Sequence, residues 1–281
     1  MRRRAALALI VLATAARGLA AQTPSEPRLF LSLLAGYRAN RALWSLSNQP
    51  YPVLVPNGDT TVLSGANLYD TLNLERRLTP GFVLGVSATY FPGPHVGFQG
   101  EFAFLGMDLE SRCSIRQSQP PYPTDVNPAL CQDLDHQNSG GSAVGLSLGL
   151  VGRATPGKGV FPFARASAGF VARDRGTIQM LGGYFNGADV STVAVVDERN
   201  PVKTTAQFTF GVGVAVATGR GYQLWLEGRD VIAMLDHVTG PADPTDPSGS
   251  LFPPHGSKFF HNFVLAMGLD VIFEQRRGHR Y

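Results

Sequence analysis

The chain has 281 residues, with 24 Lys and Arg against 21 Asp and Glu, a formal net charge of +3 and a mean hydropathy of 0.00. Four arginines (Arg2, Arg3, Arg4, Arg17) and no acid lie in the first 20 residues, so the remainder carries 20 basic and 21 acidic residues. That balance gives no ground for nucleic-acid binding. Beyond those residues no apolar run reaches the roughly 18 residues of a membrane helix, so any span of a membrane must be a closed barrel.

Arg2-Arg3-Arg4 forms a basic segment, residues 5–16 are apolar, and Gly18-Leu19-Ala20 supplies small residues for cleavage. This pattern predicts a secretory signal over residues 1–20 and a mature domain over 21–281. No linker rich in Pro or Ser divides the remainder, and a single large all-β domain accounts for the length.

Eight segments alternate with the period of a strand. The first, about 29–38, sets Leu29, Leu31, Leu33, Ala35 and Tyr37 on one face. The second (82–91) sets Leu84, Val86, Ala88 and Tyr90 against Gly85, Ser87 and Thr89; the third (96–107) sets Phe98, Phe102 and Phe104 against Gln99 and Glu101. The fourth and fifth form a hairpin over 144–170, with Ala164, Ala166, Ala168 and Phe170 opposite Arg165, Ser167 and Gly169. The sixth (205–217), seventh (222–231) and eighth (259–273) continue the pattern. Residues 67–76, with Leu68, Leu72 and Leu74, also read as a strand, as do 192–196. The first of these is a strand extension within the first loop, or 91–107 is arranged differently, or a tenth strand exists, which 177–197 could supply in a ten-stranded alternative. Eight strands is the preferred count.

Tight Gly/Pro turns at 92–95, 155–159 and 218–221 alternate with long polar connections at 39–81, 108–142, 174–204 and 232–258. Short turns at one end and long loops at the other match a membrane barrel. The long 108–142 connection holds Cys113 and Cys131, the only cysteines. In an exported chain they are expected to pair as a disulfide. A metal site is the alternative, with Asp133, Asp135 and His136 nearby.

One face is Leu, Val, Phe and Ala; the other is Gly, Ser, Thr, Gln and Asn with sparse charges. A face turned to water would carry more Lys and Glu. The polar set suits a narrow lumen, where Glu101, Arg165, Glu227, Arg229 and Asp270 would neutralise one another. Tyr37, Tyr90, Phe91, Phe161, Tyr222 and Phe259 at strand ends are expected to form an interfacial girdle.

With these features the chain resembles the eight-stranded bacterial outer-membrane β-barrel family, similar to the OmpA membrane domain and to small porin-like barrels. Ala266-Met267-Gly268-Leu269-Asp270-Val271-Ile272-Phe273 resembles the family's C-terminal β-signal, with Gly268, Val271 and Phe273 at its key positions. The chain departs from the pattern by continuing through 274–281 to Tyr281. The segment 160–169 resembles a barrel strand with an inward arginine, Arg165. The resemblance implies an antiparallel up-and-down transmembrane barrel in the outer membrane, with outer-membrane lipid and the barrel assembly machinery as partners. No cofactor, nucleic acid or resident metal is implied.

The leading functional expectation is a non-enzymatic protein with a structural, surface-display or narrow-pore role. Passive transport of small or hydrophobic solutes competes with it. A lipid- or peptide-cleaving barrel is the enzymatic alternative, for which Asp236, His237, His255, Ser257 and His261 are the residue types to inspect. Asp236, Asp243 and Asp246 stud a Pro/Gly-rich loop that lacks the spacing of a calcium loop. Eight strands leave an interior filled by side chains, so a packed polar core is expected over an open channel.

Overall fold

A computed structural model of the protein describes residues 28–56, 69–119, 121–154, 159–187, 189–198, 203–219, 221–243 and 252–274. The expected signal (1–20), the turn residues 155–158, Arg220, the loop segment 244–251 with Asp246, and the tail 275–281 lie outside the described residues.

Eight strands close into one antiparallel barrel. They are β1 (Arg28–Arg38), β4 (Gly81–Phe91), β5 (Val96–Gly106), β8 (Ser142–Arg153), β9 (Val160–Arg173), β12 (Thr204–Gly219), β13 (Tyr222–Val238) and β14 (His255–Glu274). Each pairs with its sequence neighbour around the ring, and β1 closes on β14 with Leu33 opposite Leu269. These are the eight segments that alternate in the sequence.

The side chains point as a bilayer requires. Leu148 and Phe82 are each 71% exposed and Val212 is 69% exposed, whereas Ser147 and Val83 beside the first two, and Thr209 on the strand of the third, turn inward and are buried. A continuous apolar exterior of this kind belongs against lipid rather than water. Tyr37 and Phe82 make an edge contact at 5.8 Å near one rim, where Phe208 and Phe259 also lie, 6.5 Å apart. Tyr90, Phe98 and Tyr222 face outward at the opposite, tight-turn end.

Two girdle assignments are corrected. Phe91 and Phe161 are each only 5% exposed and point into the barrel. Tyr90 and Phe91 are consecutive in a strand, so only one of them can face lipid. Phe161 likewise alternates with the outward Val160.

The long connections are folded. β2 (Arg41–Pro52), β3 (Tyr69–Leu78), β6 (Leu109–Arg116) and β7 (Asn138–Ser139) form a four-stranded sheet, and β10 (Met180–Asn186) pairs with β11 (Asp189–Val196). Of the 67–76 pattern, residues 67 and 68 lie outside the described residues and 69–76 fall in β3 of a second sheet rather than in a barrel strand, while 192–196 falls in β11. Helix α1 (Asn127–Leu134) packs Leu130 and Leu134 under β10, where Gly182 leaves room for Leu130. Leu72, Leu74, Ile178, Met180, Val195 and Val196 complete a dry core, each no more than 2% exposed. This cluster runs on into the barrel through Leu78, Leu105, Val171, Leu235 and Val264, so the dome is seated on the barrel mouth.

Candidate functional site: a charged lumen beneath a folded dome

Inward parity brings polar residues of β5, β9 and β13 to one level of the lumen. Arg165 on β9 lies with Nη1 3.2 Å from Glu101 and Nε 2.8 Å from Glu227. Arg229 reaches Glu101 at 2.7 Å and Glu227 at 2.9 Å. Each carboxylate therefore touches both guanidinium groups, and the cluster is internally neutral. Burial makes that pairing obligatory, because a lone charge at this depth would cost several kcal/mol. Gln99 Oε1 accepts from Arg165 at 3.3 Å, and Gln99 in turn donates to Ser87.

Asp270, grouped with these charges on strand parity, interacts with Arg165 electrostatically but has its direct hydrogen bonds elsewhere. Its carboxylate accepts from Trp225 Nε1 at 2.7 Å and Gln223 Nε2 at 2.9 Å. The Trp225 ring stacks under both guanidinium groups, 5.0 Å from Arg165 and 5.6 Å from Arg229. Gly268 makes that ring position possible, since a Cβ there would collide with Trp225. Gly268 thus has a packing role within β14. Val271 and Phe273 of the same segment lie on its outward-facing parity, with Phe273 half exposed.

Below the charge cluster, Phe30, Phe91, Phe161 and Phe163 narrow the lumen. Arg153 stacks on Phe91 at 4.0 Å and donates through Nε to Pro94 O. The space left on this side is about 40 Å³, and on the dome side about 30 Å³. At about 10–15 Å³ per water, each holds only a few such molecules.

Cys113 on β6 and Cys131 on α1 form a disulfide, which ties the helix to the dome sheet. Asp133 instead accepts from Gly183 N, and His136 Nδ1 lies 3.3 Å from Glu110. Among the described residues no group of three or more His, Cys, Asp or Glu is arranged to hold a metal. Near the dome's edge Asp70 accepts from Ser118 N and Asn127 Nδ2, while Asp125 accepts from Asn127 N and Gln117 Nε2. Burial raises the Asp125 carboxyl to about 6, and its hydrogen bond with Asp70 adds to the shift.

Of the catalytic candidates, Asp236 and Ser257 meet. Ser257 Oγ donates to Asp236 Oδ1 at 2.7 Å, but the neighbouring His237 ring packs 6.1 Å from Phe260. His255 is exposed, and Asp243 lies beyond β13. His261 faces outward and bonds Asp230, a partner that sequence reading did not single out. Cross-strand register was the missing information: Asp230 lies opposite Phe263, two residues from His261 on the same face.

The chain folds as a closed eight-stranded antiparallel barrel. No protein-family model matches it, and no curated protein matches its sequence. Among solved structures it is similar to Neisserial surface protein A, at 11% identity over 89% of this chain and 100% of that one, with a TM-score of 0.41. It is also similar to the outer membrane protein OprG of Pseudomonas aeruginosa, at 8% identity over 90% and 98%, TM-score 0.46. The Ail attachment invasion locus protein of Yersinia pestis, solved with a heparin analogue, shares 11% identity over 89% and 100%, TM-score 0.36. At these values the likenesses assign no function; the barrel rests on its own strand pairing.

Proposed function

We propose that this chain is a bacterial outer-membrane protein whose barrel is an anchor and whose working part is the extracellular dome. The role is surface interaction by a folded, disulfide-tied module, without enzymatic activity. One observation carries this reading: the Glu101–Arg165–Glu227–Arg229 cluster spans the lumen between two small cavities, which favours a plugged lumen over an open one. The dome supports it further, because a dry core has been built where a pore would need an open mouth. The outward apolar wall with aromatic rims supports the membrane assignment. The β14 segment ending at Phe273 fits delivery by the barrel assembly machinery.

Reconstitution in planar bilayers tests the proposal. Refolded protein, verified by its mobility shift on unboiled gels, is expected to give no stepwise conductance. Sustained, solute-dependent conductance would overturn the anchor reading in favour of a pore or transporter.

A further inference from the structure

Among the described residues, the junction between barrel and dome buries more positive charge than negative. Arg38 at the end of β1, Arg76 on β3 and Arg173 at the end of β9 are each no more than 5% exposed. Two buried carboxylates act on them, Asp236 on β13 and Glu198. Exposed Asp108 and Arg175 also act on the group, one of each sign, and leave the balance unchanged. Asp70, buried at the dome's edge, is held by Ser118 and Asn127 instead. Deeper in the lumen Arg153, Arg165 and Arg229 stand against Glu101, Glu227 and Asp270, three of each sign. The excess at the junction falls on Arg38, because the carboxylate that acts on it is the exposed Asp108. A buried charge without a buried counter-charge is costly.

That excess charge faces a cavity. Arg38 and Arg173 line the space of about 30 Å³ under the dome, against an apolar wall that includes Leu78, Val171 and Leu235. No carboxylate stands among its lining residues, whereas the cavity on the other side of the charge cluster has Asp270 beside Arg153 and Arg165. Arg38 Nη2 donates to Thr79 O at 2.8 Å, and its buried Nε has no hydrogen-bond partner among the described residues. Gln207 and Asn262 add a carboxamide each to the lining, and the oxygen of each is buried without a partner there. Turning such an amide over replaces its oxygen with an NH2 group, so both can present donors to the cavity.

Size and charge together select the occupant. Water fits the volume but brings no counter-charge. Phosphate and organic acids bring charge but exceed room for a few water-sized groups. A halide is a single atom little larger than water, carries one negative charge and accepts from several N–H donors at once. We propose that Arg38 and Arg173 hold one halide ion, chloride under native conditions, with the carboxamides of Gln207 and Asn262 completing its donors. The cavity is closed only when the dome is seated on the barrel mouth, so the ion binds the folded chain alone and stabilises that seating. The inference goes beyond the surface-interaction reading and holds whatever the dome binds.

Bromide, an anomalous scatterer of the same charge and similar size, locates the site. Crystals of the protein refolded in sodium bromide are expected to show an anomalous peak between Arg38 and Arg173, and the lack of a peak there overturns the proposal. Stability reads the same ion in solution. At fixed ionic strength, protein refolded into vesicles in chloride is expected to unfold in urea at least threefold more slowly than protein refolded in gluconate, which is too large to enter. Arg38→Met keeps a long side chain without the charge, and it is expected to abolish that difference while the unboiled-gel shift persists. No chloride effect in the wild type, or an equal effect in folded Arg38→Met, overturns the proposal. If Arg38→Met does not fold, the bromide peak of the wild type decides alone.

Discussion

Glu227 occupies the space that Gly211 leaves open on the neighbouring strand. A Cβ at Gly211 would collide with Glu227 Oε1, and the Glu227 side chain has no exposed surface. Gly211 pairs with Arg229, so the glycine stands beside both members of the Glu227–Arg229 ion pair. The lumen's polar layer is thus set by a missing side chain as much as by the charged ones.

Removing Glu227 leaves two guanidinium groups to share Glu101. Glu227→Ala is expected to destabilise the barrel by about 3–5 kcal/mol, the usual result of breaking a buried ion pair from one side. Gly211→Val should weaken it in the same direction by displacing the carboxylate. Urea unfolding in lipid vesicles, followed by Trp225 fluorescence in a Trp44→Phe background, measures both. A wild-type midpoint for either variant would refute the packing argument.

The two faces of β8 give opposite responses. Leu148 points into the bilayer and Ser147 into the lumen. Leu148→Arg is expected to cost about 2–4 kcal/mol near the bilayer midplane. Ser147→Leu should also disrupt folding, by overpacking a narrow interior. Vesicle insertion yields compare them, and a harmless Leu148→Arg would mean that the faces are reversed.

The disulfide acts on the dome and not on the barrel. Cys113 and Cys131 are 18 residues apart, a loop whose closure contributes about 3 kcal/mol by chain entropy. The Cys113→Ser/Cys131→Ser variant is expected to expose α1 to protease while retaining the gel shift of a folded barrel. Simultaneous loss of both signals would show that barrel and dome fold as one unit.

Asp125 makes the dome sensitive to pH. Its folded carboxyl is raised from the ordinary carboxylate range to about 6, first by burial and then by its hydrogen bond with Asp70. The folded state therefore holds the proton more tightly than the unfolded state. By linkage this contribution is fully present below about pH 4 and is lost as pH rises through about 6. Hydrogen-exchange protection of α1, corrected for intrinsic rates, is expected to fall across that interval and to stay flat in Asp125→Asn. Protection that rises with pH in the wild type would contradict the assignment.

Alternation by itself determined the eight barrel strands, because a strand between lipid and lumen must change polarity at every residue. It also marked Glu101, Arg165, Glu227 and Arg229 as sharing a face. It left their partners undefined: Asp270 shares that parity, yet it bonds Trp225 and Gln223 rather than an arginine. Phe91 and Phe161 show the hazard of reading aromatics by nearness to a strand end, since parity turns both inward. The tertiary structure alone decided the dome. Leu72 and Leu74 alternate as a barrel strand would, but they are buried in the hydrophobic core of the dome, not against lipid. Periodicity records that one face of a strand avoids water. Whether lipid, lumen or another layer of protein covers that face depends on which distant segments pair, and only the closed register of the folded chain settles it.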